Sequence, residues 1–261
     1  MNLVDAHCHF DFPAFDNERD SIMAALAKAG VDRMVIPGVR QADWGQVAST
    51  AASHEGLYYC LGIHPWFIDE HERPALDYLA QELRAAPRNC VGLGECGLDR
   101  LRGSLDKQQW WFEAQVELAR DLDLPLVIHS VRTNDEVFDT LKKKRFQGPA
   151  LVHAFAGSEQ QARKLTEFGI FLGVSGIITY DRARKTTEAI ASAPLSSLIL
   201  ETDAPDMPPA GVEKGRNSPT RLPEILSALV KLRPESEDVI RHALRDNVYR
   251  LYRWRESVDK P

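Results

Sequence analysis

Six residues able to bind a metal ion fall at five places where a short apolar run ends. His7 and His9 follow Leu3-Val4-Asp5-Ala6, Glu95 follows Val91-Gly92-Leu93-Gly94, His129 follows Leu126-Val127-Ile128, His153 follows Ala150-Leu151-Val152, and Asp203 follows Leu198-Ile199-Leu200-Glu201-Thr202. Imidazoles mixed with carboxylates suit zinc, manganese, iron or nickel, whereas all-oxygen cages suit magnesium or calcium. Zinc heads the expectation, with manganese, magnesium or nickel as alternatives. Two divalent ions about 4 Å apart would share a water molecule, lower its pKa and stabilise negative charge on a phosphoryl or acyl oxygen. That is hydrolase chemistry, with Glu95 placed to bridge two ions and Asp203 to act as ligand and base.

Each residue taken singly also has a plain structural reading. His129 and His153 could be satisfied core histidines, Glu95 an exposed loop acid, Asp203 a turn or N-cap residue, and His7-Cys8-His9 a chance pairing. The repeated placement at run ends is what favours a common site.

Ligands so far apart in sequence meet only if their strands lie side by side and point the same way. A (β/α)8 barrel of the TIM type presents all its strand ends on one rim and draws catalytic residues from several of them. Eight strand candidates alternate with helical segments: Leu3 to His7, Arg33 to Pro37, Tyr58 to Ile63, Cys90 to Gly94, Leu126 to His129, Ala150 to His153, Ile170 to Val174 and Leu198 to Glu201. Their near-continuous hydrophobicity fits parallel strands buried on both faces. Side chains two apart share a strand face, so His7 and His9 are expected to converge while Cys8 turns into the core. Ser104 with Asp106 reads as a helix start, with Trp111, Leu118, Ala119 and Leu122 on the buried face. Gly169 reads as the helix-ending turn before Ile170. Asp206 to Pro219 is rich in Pro and Gly and reads as a rim loop. Two helices follow, Leu222 to Val230 and one carrying Val239, Ile240, Ala243, Leu244, Val248 and Leu251.

The bulk properties fit one α/β domain spanning 1–261. The length of 261 residues is near the ~250 usual for such a barrel, and 44% hydrophobic composition can fill its core. With 32 Lys plus Arg against 38 Asp plus Glu, the net charge is −6, which excludes a broad phosphate-gripping surface. The cysteines Cys8, Cys60, Cys90 and Cys96 form no CxxC pair, so reduced thiols in the cytoplasm are expected. No signal-peptide pattern and no membrane-length apolar run is present, and nothing points to an obligate protein partner.

The motifs resemble the TatD family of metal-dependent deoxyribonucleases and hydrolases, within the amidohydrolase-like barrels. The resemblance rests on seven ordered blocks: Asp5-Ala6-His7-Cys8-His9-Phe10-Asp11, Gly62-Ile63-His64-Pro65, Gly94-Glu95-Cys96-Gly97-Leu98-Asp99, Gln108 with Phe112 and Gln115, Leu124 to Ser130, His153 to Ser158, and Leu200-Glu201-Thr202-Asp203-Ala204-Pro205. It implies hydrolysis of DNA phosphodiesters, of the 3′-5′ exonuclease type on single-stranded DNA or DNA 3′ ends, with two divalent ions per chain. One ion would take His7, His9, Glu95 and Asp203, and the other Glu95, His129 and His153. Asp203 would orient or deprotonate the attacking water, and Glu201 would lie one layer out.

On the rim, His64, Arg132 and Asn217 are candidates for substrate contact. Arg132 departs from the family's usual His-x-Arg, because Val131 intervenes in His129-Ser130-Val131-Arg132. Trp66 could stack on a base or pack the loop. The run Lys142-Lys143-Lys144-Arg145 reads as a solvated helix end, since cations are favoured there by the helix dipole. Two other readings remain open: an amidohydrolase or esterase acting on a small molecule such as a phosphoester, and a non-catalytic, metal-stabilised binding protein.

Overall fold

A computed structural model of the chain describes residues 1–87 and 89–255. Eight strands run parallel in chain order, β1 to β8: Leu3–Asp5, Val31–Pro37, Leu57–Leu61, Cys90–Asp99, Leu126–Val131, Ala150–Val152, Ile170–Val174 and Leu198–Leu200. Between them lie α1 (Arg19–Lys28), α2 (Trp44–Ser53), α3 (Ala75–Ala85), α4 (Leu105–Asp121), α5 (Asn134–Lys143), α6 (Glu159–Glu167) and α7 (Arg184–Ser192). After β8 come α8 (Leu222–Leu232) and α9 (Glu237–Leu251). This is the TIM-type (β/α)8 barrel.

The strands are apolar on both faces because both are covered. Val4, Val35, Cys60, Val127, Leu151, Phe171 and Ile199 fill the barrel interior, while Leu3, Met34, Leu93, Ile128, Leu172 and Leu200 meet the helices outside. Buried Tyr252, just past α9, belongs to the inner layer and donates its hydroxyl to Ala6 O at 3.1 Å. The seam between β8 and β1 is held by Ala6 N donating to Leu200 O (3.1 Å), Asp203 N to His7 O (2.9 Å) and His9 N to Ala204 O (2.8 Å). Buried Asp5 reinforces it, accepting from Thr202 N at 3.0 Å and Thr202 Oγ1 at 2.6 Å.

Two details differ from the sequence reading. Strand β4 does not stop at Gly94 but runs to Asp99, pairing Gly97 with His129 and Asp99 with Val131 after a register irregularity between Leu93 and Cys96. Glu95 therefore sits at a bulge inside the strand, a device that re-aims a side chain. Gly97 is required beside it: its φ is +139°, and a Cβ there would lie 2.1 Å from His129 O. Helix α4 starts at the expected Ser104 cap but buries Phe112, Val116 and Ala119, leaving Leu118 and Leu122 only partly covered.

The cysteines are all free. Lys142, Lys143 and Arg145 are exposed, as a solvated helix end should be, whereas Lys144 is half-buried against Glu113 and Glu117 on α4. Among the described residues, no helix is long and apolar enough to cross a membrane.

Candidate metal centre

The carboxyl ends of the strands bring the six sequence-predicted residues together. His7 and His9 lie just beyond β1, Glu95 in the β4 bulge, His129 within β5, His153 one residue past β6, and Asp203 past β8. His7 and His9 lie past the end of β1 at Asp5, in a segment whose main chain still bonds to its neighbours through Ala6 N to Leu200 O and Cys8 N to Val35 O. Cys8, fully buried between them, points away and faces Ala204 O at 3.5 Å.

The donor atoms divide into two groups around the Glu95 carboxylate. His7 Nε2 is 3.2 Å and His9 Nε2 3.6 Å from Glu95 Oε2, while Asp203 Oδ1 is 3.4 Å from His7 Nε2 and 3.5 Å from His9 Nε2. On the other side, Glu95 Oε1 is 2.9 Å from His129 Nδ1, 2.9 Å from His153 Nε2 and 3.2 Å from His64 Nε2.

These contacts are short, yet His7 Nε2 and Glu95 Oε2 are buried without any aligned hydrogen bond. A buried polar atom without a partner is costly. Lone pairs aimed at a shared space, and not at one another, are what a cation requires, so the residues fit a divalent metal. Burial pushes His7 down to about 4 and His9 to about 3, leaving neutral rings with free lone pairs. Burial alone would raise Glu95, but His153, His64 and His7 hold it well below the usual carboxylate range. Asp203 is driven well above that range by burial and by the charges of Glu95 and Asp206.

His64 and His129 are distinguished by their second nitrogens. His64 Nδ1 accepts from Trp66 N at 3.1 Å, so its neutral ring carries the proton on Nε2 and acts as a donor, not a ligand. His129 has the reverse arrangement: Nε2 faces Asp99 Oδ2 at 3.2 Å, while Nδ1 faces Glu95 Oε1 at 2.9 Å and would bind a cation once it gives up its proton. Against the pull of burial, the hydrogen bonds to Asp99 and Glu95 push His129 up to about 9. Asp99 thus orients His129, in the partnership a carboxylate commonly makes with a histidine around metals. The sequence reading quoted Asp99 without giving it a task; alternation with Glu95 along an extended β4 was the available signal.

Other buried polar groups hold these side chains. Gln115 on α4 accepts from Ile63 N (2.8 Å) and donates to Ile63 O (2.9 Å), fixing the residue before His64. Gln108 does the same for Asp99, accepting from its N at 2.6 Å and donating to its O at 3.0 Å. Glu201 lies one layer out, with Oε1 4.0 Å from His153 Nδ1.

The rim candidates separate. Arg132 is exposed and forms no ion pair among the described residues. Asn217, expected at the substrate, is buried with its amide donating to Thr202 O (2.9 Å) and Asp206 O (2.6 Å). Both amide hydrogens are committed to the main chain, so Asn217 ties down the rim loop instead.

An α/β barrel with this donor set at its strand ends defines a class, the metal-dependent hydrolases. The chain belongs to the TatD related DNase family, which matches residues 4–253. An uncharacterised metal-dependent hydrolase, YjjV, of Escherichia coli K12 is 39% identical, with 96% of this chain and 97% of the relative covered. The crystal structure of the TatD homologue YjjV from that organism superposes with a TM-score of 0.92, covering 97% of this chain and 98% of its own, at 39% identity. A Klebsiella pneumoniae protein named 3′-5′ ssDNA/RNA exonuclease TatD is 29% identical over 96% of this chain and 97% of its own length.

Proposed function

We propose that this protein hydrolyses phosphodiesters of single-stranded DNA from the 3′ end, using two divalent ions, zinc first among them. The division of the Glu95 oxygens between two donor groups carries this reading. The family and the name of the Klebsiella relative support the substrate.

His7, His9, Glu95 and Asp203 would hold one ion, and Glu95, His129 and His153 the other. When bound, the ions would lower the pKa of water and offset charge on the phosphoryl oxygens. Asp203, 3.4 Å from His7 Nε2, takes the proton of the attacking water. His64 presents Nε2–H toward the centre, where it donates to a phosphate oxygen. Arg132 supplies a cation at the rim, and the Asp99 carboxylate keeps His129 in the productive tautomer.

The test is hydrolysis of an end-labelled single-stranded oligonucleotide by metal-stripped protein reloaded separately with zinc, manganese and magnesium. Stepwise shortening that needs both metal and Asp203 is the expected result. No cleavage by protein shown to hold metal would move the assignment to a small-molecule ester or amide.

A further inference from the structure

Trp66 lies in the loop after β3, two residues past His64, and is 48% exposed, yet it is firmly held. Its Nε1–H donates to Asp99 Oδ2 at 2.6 Å and its main-chain N–H to His64 Nδ1 at 3.1 Å. Its ring meets His64 nearly edge-on, at 5.2 Å and 84°, and His129 at 6.1 Å and 75°. The Arg102 guanidinium lies 4.6 Å from the indole centroid, and Arg102 forms no ion pair among the described residues. The rim beside the metal centre thus presents a fixed, half-open aromatic ring together with an uncompensated cation.

We infer that Trp66 and Arg102 form the subsite for the base of the nucleotide whose phosphate enters the centre, an inference that rests on the nuclease reading above. A nucleobase joined to a phosphate supplies what this pair lacks, a flat ring for the indole face that Arg102 does not cover and a negative charge to neutralise. Stacking of this kind tolerates any sequence, because every base has a π-face. Asp99 makes the subsite and the centre one rigid unit: the same Oδ2 that accepts from Trp66 Nε1 faces His129 Nε2 at 3.2 Å. The indole therefore stands at a set distance from the ligands, and a stacked base would bring its phosphate to a repeatable position.

The experiment compares two single-stranded oligonucleotides, one ending in a normal 3′ nucleotide and one in an abasic residue, on metal-loaded wild type, Trp66→Leu and Trp66→Phe. Wild type should lose about tenfold in kcat/KM on the abasic end, mainly through KM. Trp66→Leu should lose a similar factor on normal DNA, show no further abasic penalty and retain its metal content, while Trp66→Phe keeps the penalty. Absence of an abasic penalty in wild type, or the same penalty in Trp66→Leu, overturns the subsite and leaves the nuclease reading standing. Metal-loaded wild type that hydrolyses bis(p-nitrophenyl) phosphate but neither oligonucleotide overturns both.

Discussion

His7 and His153 lie ring on ring, 3.9 Å between centroids and 4° from parallel, yet their Nε2 atoms face different oxygens of Glu95, Oε2 at 3.2 Å and Oε1 at 2.9 Å. Two protonated rings would repel at that spacing. Burial lowers both below the ordinary histidine value, so the stack is one of neutral rings with a single carboxylate dividing them.

Removing that carboxylate charge should therefore affect both donor groups. Glu95→Gln is expected to lose metal from both positions, whereas His129→Ala combined with His153→Ala should lose it from one. Elemental analysis of dialysed protein checks this, and unchanged content in the double variant would refute the division.

Asp203→Asn keeps the side-chain volume and one oxygen beside His7 and His9. It should fold, retain most of its metal and lose at least ~100-fold in rate, the scale of a missing general base. Turnover equal to wild type would remove Asp203 from that role.

Gln115→Leu leaves the buried N–H and C=O of Ile63 unpaired. The expected cost is about 1–3 kcal/mol of stability, read from urea denaturation, together with slower turnover as His64 loses its anchor. A variant as stable and active as wild type would show that the clamp does not matter.

Cys8→Ala should leave metal content intact, since the thiol faces Ala204 O and not the ligands. Loss of metal with the fold preserved would contradict that orientation.

Acid sensitivity should include a contribution from Glu113. Burial would raise its pKa, but Lys144 and Lys143 lower it from 4.5 to about 2. A carboxylate depressed in the folded state stabilises the fold above its unfolded pKa, and that contribution fades as pH falls from about 4.5 toward about 2. Thermal unfolding of Glu113→Gln should show a smaller loss across this window than wild type; equal losses would assign the acid sensitivity elsewhere.

Local pattern alone was enough to pick out the side chains that the barrel gathers. An apolar run closed by His, Glu or Asp is visible over five residues, and eight apolar runs alternating with helical segments leave a parallel barrel as the arrangement that gathers their ends. The Ser104 cap of α4 and the Gly169 turn were legible for the same reason, because capping and positive φ depend on neighbours in sequence.

What local pattern could not supply is which atoms meet. Asp99 reaches His129 only because β4 continues past a bulge and pairs with β5. Asp5 is a seam residue only because the barrel closes β8 onto β1, 197 residues away. The amide of Asn217 looks free in sequence and is taken up by Thr202 and Asp206 once the rim loop folds back. These contacts follow from register, closure and packing between distant segments, so they exist only in the assembled barrel.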